Sequence, residues 1–469
     1  MRDVVVVGGG VLGMAVALAA ADAGLRVTLV SPGCRTEGAA SAAAGAMLGV
    51  LGEHTVEDTD PADLEFRFAS AGLWPGWLAA LAEHTPSPVV LRHGTVVIAN
   101  LDHPGDQDNL DAIERAAGDL GLRAQRLDPR HVPGLRPAPR HAPVAALACP
   151  DEGWVDADAL LDALDSASVR HPRITTVSDT VRRVTVSPDG SRVTGVRLGA
   201  GGELPAAQVV LAAGAATGAL LDGLTPPTLP AVLPAKGVSM LLDVPVAEQP
   251  PMVIRTPNRD FACGLHLVPR AARGLYLGAT NRPGPAGGAT TDEHLSLLHG
   301  LLHQFRTDLR TTTVRETRWG HRPATGDGKP LLGPVGPEGL HLATGTYRNG
   351  ILMAPAVAAI VTAGLLGEPC PVPHPYAPSR PRLQPDADRL THLLATGADH
   401  MTSVFLDPGG TLPFDRQGQL AATLAALVNL ALHPKPDAQT DDLREALRAR
   451  LNDRPTLEGV CDLFNILKP

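Results

Sequence analysis

Four β-branched residues, Val4–Val7, stand almost at the start of the chain and run straight into Gly8-Gly9-Gly10-Val11-Leu12-Gly13. The small residues from Met14 to Ala23 predict a helix that Gly24 stops, and Val27–Val30 predicts a second strand. Strand, GxGxxG, helix and strand at this spacing mark a dinucleotide cradle rather than a chance turn. Gly8 permits the tight turn, Gly10 lets the backbone approach a pyrophosphate, and Gly13 lets the helix pack close to the sheet. The helix N-terminus adds free N–H groups and partial positive charge. An acid is expected at the end of the second strand to grip a ribose hydroxyl. Ser31-Pro32-Gly33 stands there instead, with Arg35 close behind. A small polar residue plus Arg also suits a 2′-phosphate, so this segment alone leaves FAD and NADP both open.

Composition narrows the class. A length of 469 residues corresponds to roughly two to four domains. Forty basic against 49 acidic residues give a net charge of −9, which argues against a general nucleic-acid binder. Aromatics, at 3%, are too sparse for a base-stacking platform. With 44% hydrophobic and 19% charged residues, wholesale disorder is excluded. The 49 glycines and 44 prolines have no period and read as many tight turns. Five scattered cysteines (Cys34, Cys149, Cys263, Cys370, Cys461) contain no CxxC pair and suit a reducing cytoplasm. No apolar run reaches 18 residues, so no membrane helix is expected. Arg2 and the apolar stretch after it imitate a signal peptide, but the glycine cluster is better explained as the cradle.

Two further segments bear on the ligand. Ala39 to Leu48 has no charge and almost no side-chain bulk, so its backbone can lie flat against a large ligand; the plain alternative is a small-residue helix under a sheet. Near the other end, a strand at Leu340–Ala343 leads into Thr344-Gly345-Thr346-Tyr347-Arg348-Asn349-Gly350 and a helix from Ile351 to about Leu366. Such a helix N-terminus can stabilise negative charge on a reduced flavin. A third loop, Ala212-Ala213-Gly214, follows the strand Gln208–Leu211.

The chain resembles the D-amino acid oxidase (DAO) family of FAD enzymes, and within it the glycine oxidases of the thiamine-pathway type. The motifs that carry the resemblance are VVVVGGGVLG (4–13), ASAAAGAML (40–48), VVLAAG (209–214), LPAKG (233–237), LVPR (267–270), LYLGAT (275–280), RPATGDGKPLLG (322–333) and TGTYRNGILMAPA (344–356). They reach from residue 1 to about 376. The resemblance implies an α/β, two-lobed FAD-dependent oxidoreductase: a Rossmann-like FAD domain, and a mixed-sheet substrate domain whose large sheet roofs the flavin. The FAD domain is expected to gather 1–85, 150–230 and 320–376, and the substrate domain 86–149 and 231–319.

By the same resemblance, Arg322 takes the place of the substrate-carboxylate clamp, for which a guanidinium fork is well matched. Arg348 takes that of a second site Arg reaching substrate and flavin; a surface salt bridge is the plain alternative for both. The flavin loop falls on Thr346, Tyr347, Arg348, Asn349, Gly350, Ile351 and Leu352. Beside Gly8, Gly10, Gly13, Ala213 and Gly214, further FAD contacts fall on Val11, Leu12, Ser31, Pro32, Ala39, Ala40, Ala44, Gly45, Ala46 and Met47, with Val181 on the adenine. The chain also departs from the pattern. His266 stands where glycine oxidases have a Tyr, Gly264 where they have a His, and His321 where an apolar residue is usual; Ala46 reads as an insertion. Imidazoles at these places are expected to alter substrate fit and pH response, with a core histidine bonded to a backbone carbonyl as the plain reading of His266. The departures put glycine itself in question, but not carboxylate-bearing amines.

The implied chemistry is oxidation of the C–N bond of an amino or imino acid to an imine, hydrolysed to an oxo acid and an amine, with O2 reduced to hydrogen peroxide. Two alternatives stand beside it: a flavin dehydrogenase of the same fold with another acceptor, and a non-catalytic nucleotide-binding partner protein. No Ser–His–Asp or metal constellation is expected; His103, His141, His171 and His303 read as dispersed surface residues, and Asp156 as the N-cap of a helix over 157–166. Residues 86–99 read as a strand, 107–121 as an amphipathic helix, 180–197 as two strands about a Pro188-Asp189-Gly190 turn, and 281–292 as a loop over the site. Pro369 to Pro385 reads as an extended linker. Beyond it, helical patterns at 386–396, 416–432 and 440–451 and an apolar end at 456–467 suggest a small appendage serving a homo-oligomer or protein partner.

Overall fold

In a computed structural model, the described residues are 3–380 without 57–59, 87, 101–104, 225–228, 259–263, 285–286 and 326–327. The expected C-terminal helices, the end of the Pro-rich segment, His103, Cys263 and Cys461 lie outside them.

The opening valines form the strand Asp3–Val7 at the heart of a six-stranded sheet. It pairs in parallel with Arg26–Val30 on one side and Gln208–Leu211 on the other. Ile174–Val177 and Leu340–Thr344 extend the sheet in parallel, and Leu331–Pro334 closes one edge antiparallel. A strand's side chains alternate between faces, and this strand has a core on both. Val4 and Val6 pack among the helices Val11–Asp22, Ala157–Arg170 and Ala354–Leu366. Val5 and Val7 pack against a three-stranded sheet, Val181–Val186, Val193–Leu198 and Glu203–Pro205. A strand covered on both faces needs an unbroken apolar run, which is what Val4–Val7 supplies.

The larger, eleven-stranded sheet is built around the long antiparallel pair Val232–Leu242 and Val314–Thr325, with Arg92–Asn100 and Pro143–Trp154 toward its far side. Strands Pro143–Trp154 and Val314–Thr325 run across residues 149/150 and 319/320. Lys236 of the LPAKG motif is buried here and pairs with Glu293 at 2.9 Å. Glu293 also closes a capping box with Thr290 at the start of the helix Thr291–Gly300.

Several expectations match: the helix Gly105–Leu120, the strand pair around Pro188-Asp189-Gly190, and Asp156, whose carboxylate accepts from the N–H groups of Asp158 and Ala159. Others are corrected. The strand expected over 86–99 begins only at Arg92, and the loop expected over 281–292 contains a short strand, Arg282–Pro283, paired with Ala235 and Lys236. The final helix starts at Ala354, because residues 346–353 stay in turns. The first part of the Pro-rich segment is tied down: Tyr376 is buried, packs edge-on to Phe66 at 5.0 Å and donates to Asp63 at 2.7 Å.

The histidines are not dispersed. His171 is buried and hydrogen-bonds Asp22 at 3.1 Å, and His84 Nε2 stands 3.2 Å from the same carboxylate oxygen, where three helices end. His171 Nδ1 accepts from the Arg173 N–H, which leaves Nε2 as the donor to Asp22. His141 stacks on His303 at 5.1 Å, and His303 meets His299 at 3.7 Å.

His341, in the strand Leu340–Thr344, is buried, and burial lowers its pKa to about 4. Unfolding releases it to its ordinary value near 6.5, so between those values the unfolded chain binds the extra proton and stability falls as pH falls. The His341 contribution is expected to drop by about 2 kcal/mol from pH 7 to pH 5. Thermal melts of His341→Leu at the two pH values should therefore show a smaller acid loss than wild type; an unchanged slope refutes the assignment.

Candidate functional site

A cavity of about 680 Å³ opens at the C-terminal ends of the first two parallel strands and runs under the larger sheet. The C-terminal edge of a parallel sheet is where α/β folds bind ligands. At the nucleotide end the walls include Gly8, Gly10, Val11 and Leu12, then Ser31 and Pro32, together with Val181, Ala213 and Gly214. Ala39, Ala40 and the run Ala44–Met47 form the middle. His266, Arg322, Thr346, Arg348, Asn349, Gly350 and Ile351 stand in the same cavity. Three expected residues are not in its wall. Gly13 packs behind Gly8; Tyr347 bonds through its hydroxyl to Asn281; Leu352 gives its carbonyl to the Trp74 indole at 2.9 Å.

The glycines have distinct geometric reasons. Gly8 has φ +119°, and a Cβ there would lie 2.3 Å from the Ala212 carbonyl oxygen. A Cβ on Gly13 would lie 1.8 Å from the Gly8 oxygen. At Gly10 the nearest atom is the Ser41 hydroxyl at 3.3 Å, so a Cβ would stand in the cavity rather than in the protein. Ser41 also accepts the Val11 N–H at 3.1 Å, bracing the helix N-terminus. The Ser31 hydroxyl is spent on its own turn, accepting from Gly33 N and donating to Gly33 O. An exposed acid, Glu37, lines the cavity nearby. Bare walls, a helix N-terminus and the buried Gly45 and Ala46 N–H groups, which have no acceptor among the described residues, fit an extended dinucleotide.

The far end is polar. Arg322 Nη1 donates to the Thr280 carbonyl at 3.1 Å and to Asn281 Oδ1 at 3.2 Å, and among the described residues no acid pairs with it. Gly237 on the facing strand makes room, since a Cβ there would lie 2.2 Å from the guanidinium. His266 donates from Nδ1 to the Gly264 carbonyl at 2.9 Å, which leaves Nε2 as an acceptor. Burial, with Arg255 and Arg322 nearby, lowers its pKa to about 3. It is thus both the carbonyl-bonded core histidine and a cavity residue. The expected pH response at His266 is corrected: the ring stays neutral across the physiological range.

Sequence reasoning missed a buried cluster beside these residues. Arg255, 1% exposed, donates to Glu53 at 2.8 Å and to Asn258 at 2.8 Å. Asn258 donates in turn to Glu53, and Arg348 pairs with Glu53 at 3.5 Å. Burial opposes the charge on Glu53, but Arg255, Arg348 and the Asn258 hydrogen bond hold its pKa at about 2. The available signal was an Arg closing the apolar run Met252-Val253-Ile254.

The profile of the DAO family, described as FAD dependent oxidoreductase, matches residues 3–363. The bifunctional protein ThiO/ThiG of Trichormus variabilis is 30% identical over 369 residues, 77% of this chain and 52% of that protein. The chain thus spans about half the length of that curated relative. Glycine oxidase of Geobacillus kaustophilus is 30% identical over 378 residues, 76% of this chain and 91% of that one. The crystal structure of glycine oxidase from Geobacillus kaustophilus superposes with a TM-score of 0.70 at 26% identity, covering 81% of this chain and 99% of the other.

Proposed function

The chain belongs to the DAO family of FAD-dependent oxidoreductases, and from that premise we propose that it oxidises the C–N bond of a small carboxylate-bearing amine. Glycine, an N-substituted glycine or a D-amino acid would give an imine that water converts to an oxo acid and an amine, with O2 taking the electrons as hydrogen peroxide. The observation that carries the reading is Arg322: a cation without an acidic partner among the described residues, in the same cavity as the glycine cradle. Its fork suits a carboxylate in two-point contact.

FAD, when bound, accepts the hydrogen and electron pair that leave the substrate carbon. Gly8, Gly10 and the N-terminus of Val11–Asp22 would hold its pyrophosphate, and the runs Ala39–Met47 and Thr346–Ile351 would flank its ring system. We assign the nucleotide lobe to about 1–85, 150–230 and 320–376 and the substrate lobe to about 86–149 and 231–319, with the strands Pro143–Trp154 and Val314–Thr325 shared across two of these boundaries. His266 offers Nε2 as an acceptor for the substrate's N–H, and being neutral it repels no amine. Glu53 pairs with the Arg348 guanidinium in the same cavity. An amine bound in its neutral form needs no strong general base. Among the described residues no helix is long and apolar enough to cross a membrane.

Peroxide release should be screened over glycine, sarcosine, larger N-substituted glycines and D-amino acids, alongside bleaching of the flavin under argon. Bleaching followed by rapid recolouring in air is the expected result. Bleaching without recolouring replaces the oxidase reading by the dehydrogenase, and a flavin that none of these amines bleaches removes the proposal.

A further inference from the structure

Arg270, the last residue of the LVPR motif, does not line the cavity, yet its guanidinium is buried one layer behind it. Its Nη2 donates to the Ala44 carbonyl at 2.7 Å. Nη1 is held by Asp156 at 3.3 Å and Asp158 at 3.6 Å, and the group lies over the Tyr276 ring at 5.0 Å. The neighbouring carbonyls are tethered too. Ala43 O accepts from Tyr276 at 2.8 Å and Ser239 at 3.0 Å, Ala42 O from Arg318 at 3.1 Å, and Ala46 O from Val155 N at 3.1 Å.

In a trans peptide the C=O and the following N–H point in opposite directions. Pinning Ala44 O to the layer behind therefore aims the Gly45 N–H the other way, toward the cavity that Gly45 lines. Gly45 and Ala46 are both buried, and neither N–H has an acceptor among the described residues. Buried backbone donors are almost always paired, so two adjacent ones without a protein partner call for a ligand. Ala46 also has φ +56°, a left-handed conformation disfavoured for alanine and held here by its surroundings.

We infer that Arg270 is a positioning residue that turns the Gly45 and Ala46 amides onto the bound cofactor, and thereby sets its affinity and its reduction potential. This role rests on the family's FAD occupying the cavity, as proposed above; a colourless protein would show that premise wrong at the visible spectrum, before any variant is compared. Amide donors favour the reduced, more negative cofactor, so loosening them weakens binding and lowers the potential.

Three measurements test it. In hydrogen–deuterium exchange of the wild-type protein, the amides of Gly45 and Ala46 should exchange fast in the apoprotein and slowly with FAD; equal exchange overturns the inference. Arg270→Met holoenzyme should bind FAD about tenfold more weakly, the scale of one charged hydrogen bond, and show a more negative midpoint potential. Arg270→Lys keeps the charge beside Asp156 and Asp158 and should shift both quantities less, in the same direction. It decides the matter if the Met variant does not fold. A role confined to stability predicts lower melting temperatures with affinity and potential unchanged, and that pattern in the folded variants rejects the inference.

Discussion

Arg322→Ala should remain yellow and lose turnover. The substitution removes a guanidinium whose protein contacts, the Thr280 carbonyl and Asn281 Oδ1, are neutral acceptors on one nitrogen. Neither comes from the nucleotide cradle, so FAD retention is expected. What disappears is the countercharge this reading assigns to the substrate's carboxylate. Truncating one member of a desolvated charge pair costs about 2–5 kcal/mol, which places the loss in kcat/KM at a hundredfold or more, on the order of 3 kcal/mol. Arg322→Lys should recover part of it, because a point charge keeps the attraction but not the two-point geometry that orients the Cα–H. The pH profile adds a second arm. His266 is held neutral down to about 3 by burial and its neighbouring arginines, so it contributes no inflection between pH 5 and 8. Wild-type kcat/KM retained in Arg322→Ala would mean that the carboxylate is held elsewhere.

Local features of this chain were legible because local chemistry decides them. Val4–Val7 and the glycines after it announce a strand, a turn and a helix within reach of one another, and the structure places them so. Features made by distant segments were not. Glu53, Arg255 and Asn258 come from two parts of the sequence some 200 residues apart, and each alone reads as an ordinary polar residue. The histidines failed for the same reason: His84, His171 and Asp22 meet only because three helices end at one point. Ser31 failed differently. Its identity suggested a hydroxyl for a ribose, but the turn it occupies consumes both its donor and an acceptor site. LPAKG and LVPR were visible as motifs without a physical reason. Packing supplies one for each: Lys236 pairs with a capping glutamate, and Arg270 pins a backbone carbonyl.

Gly10→Ala and Gly13→Ala should fail in opposite ways, although both alter the same short motif. At Gly13 the added methyl would sit 1.8 Å from the Gly8 carbonyl oxygen, a backbone atom that no side-chain rotation can move away. Relief requires the helix Val11–Asp22 to move off the sheet, against a helix that is buried on nearly every side. The expected cost is at least about 3 kcal/mol, seen as a large fall in melting temperature or as insoluble protein with or without added FAD. Gly10 has φ −77°, which alanine adopts freely, and its nearest neighbour is a hydroxyl at 3.3 Å. The apoprotein should therefore melt within a few degrees of wild type. The new methyl instead occupies the wall where a pyrophosphate must approach the helix N-terminus. FAD affinity should fall on the order of a hundredfold, equivalent to about 2.7 kcal/mol, measured by titrating apoprotein and following flavin fluorescence. If Gly10→Ala binds FAD as tightly as wild type while remaining folded, the phosphates do not lie on this helix, and the cofactor's orientation in the cavity has to be redrawn.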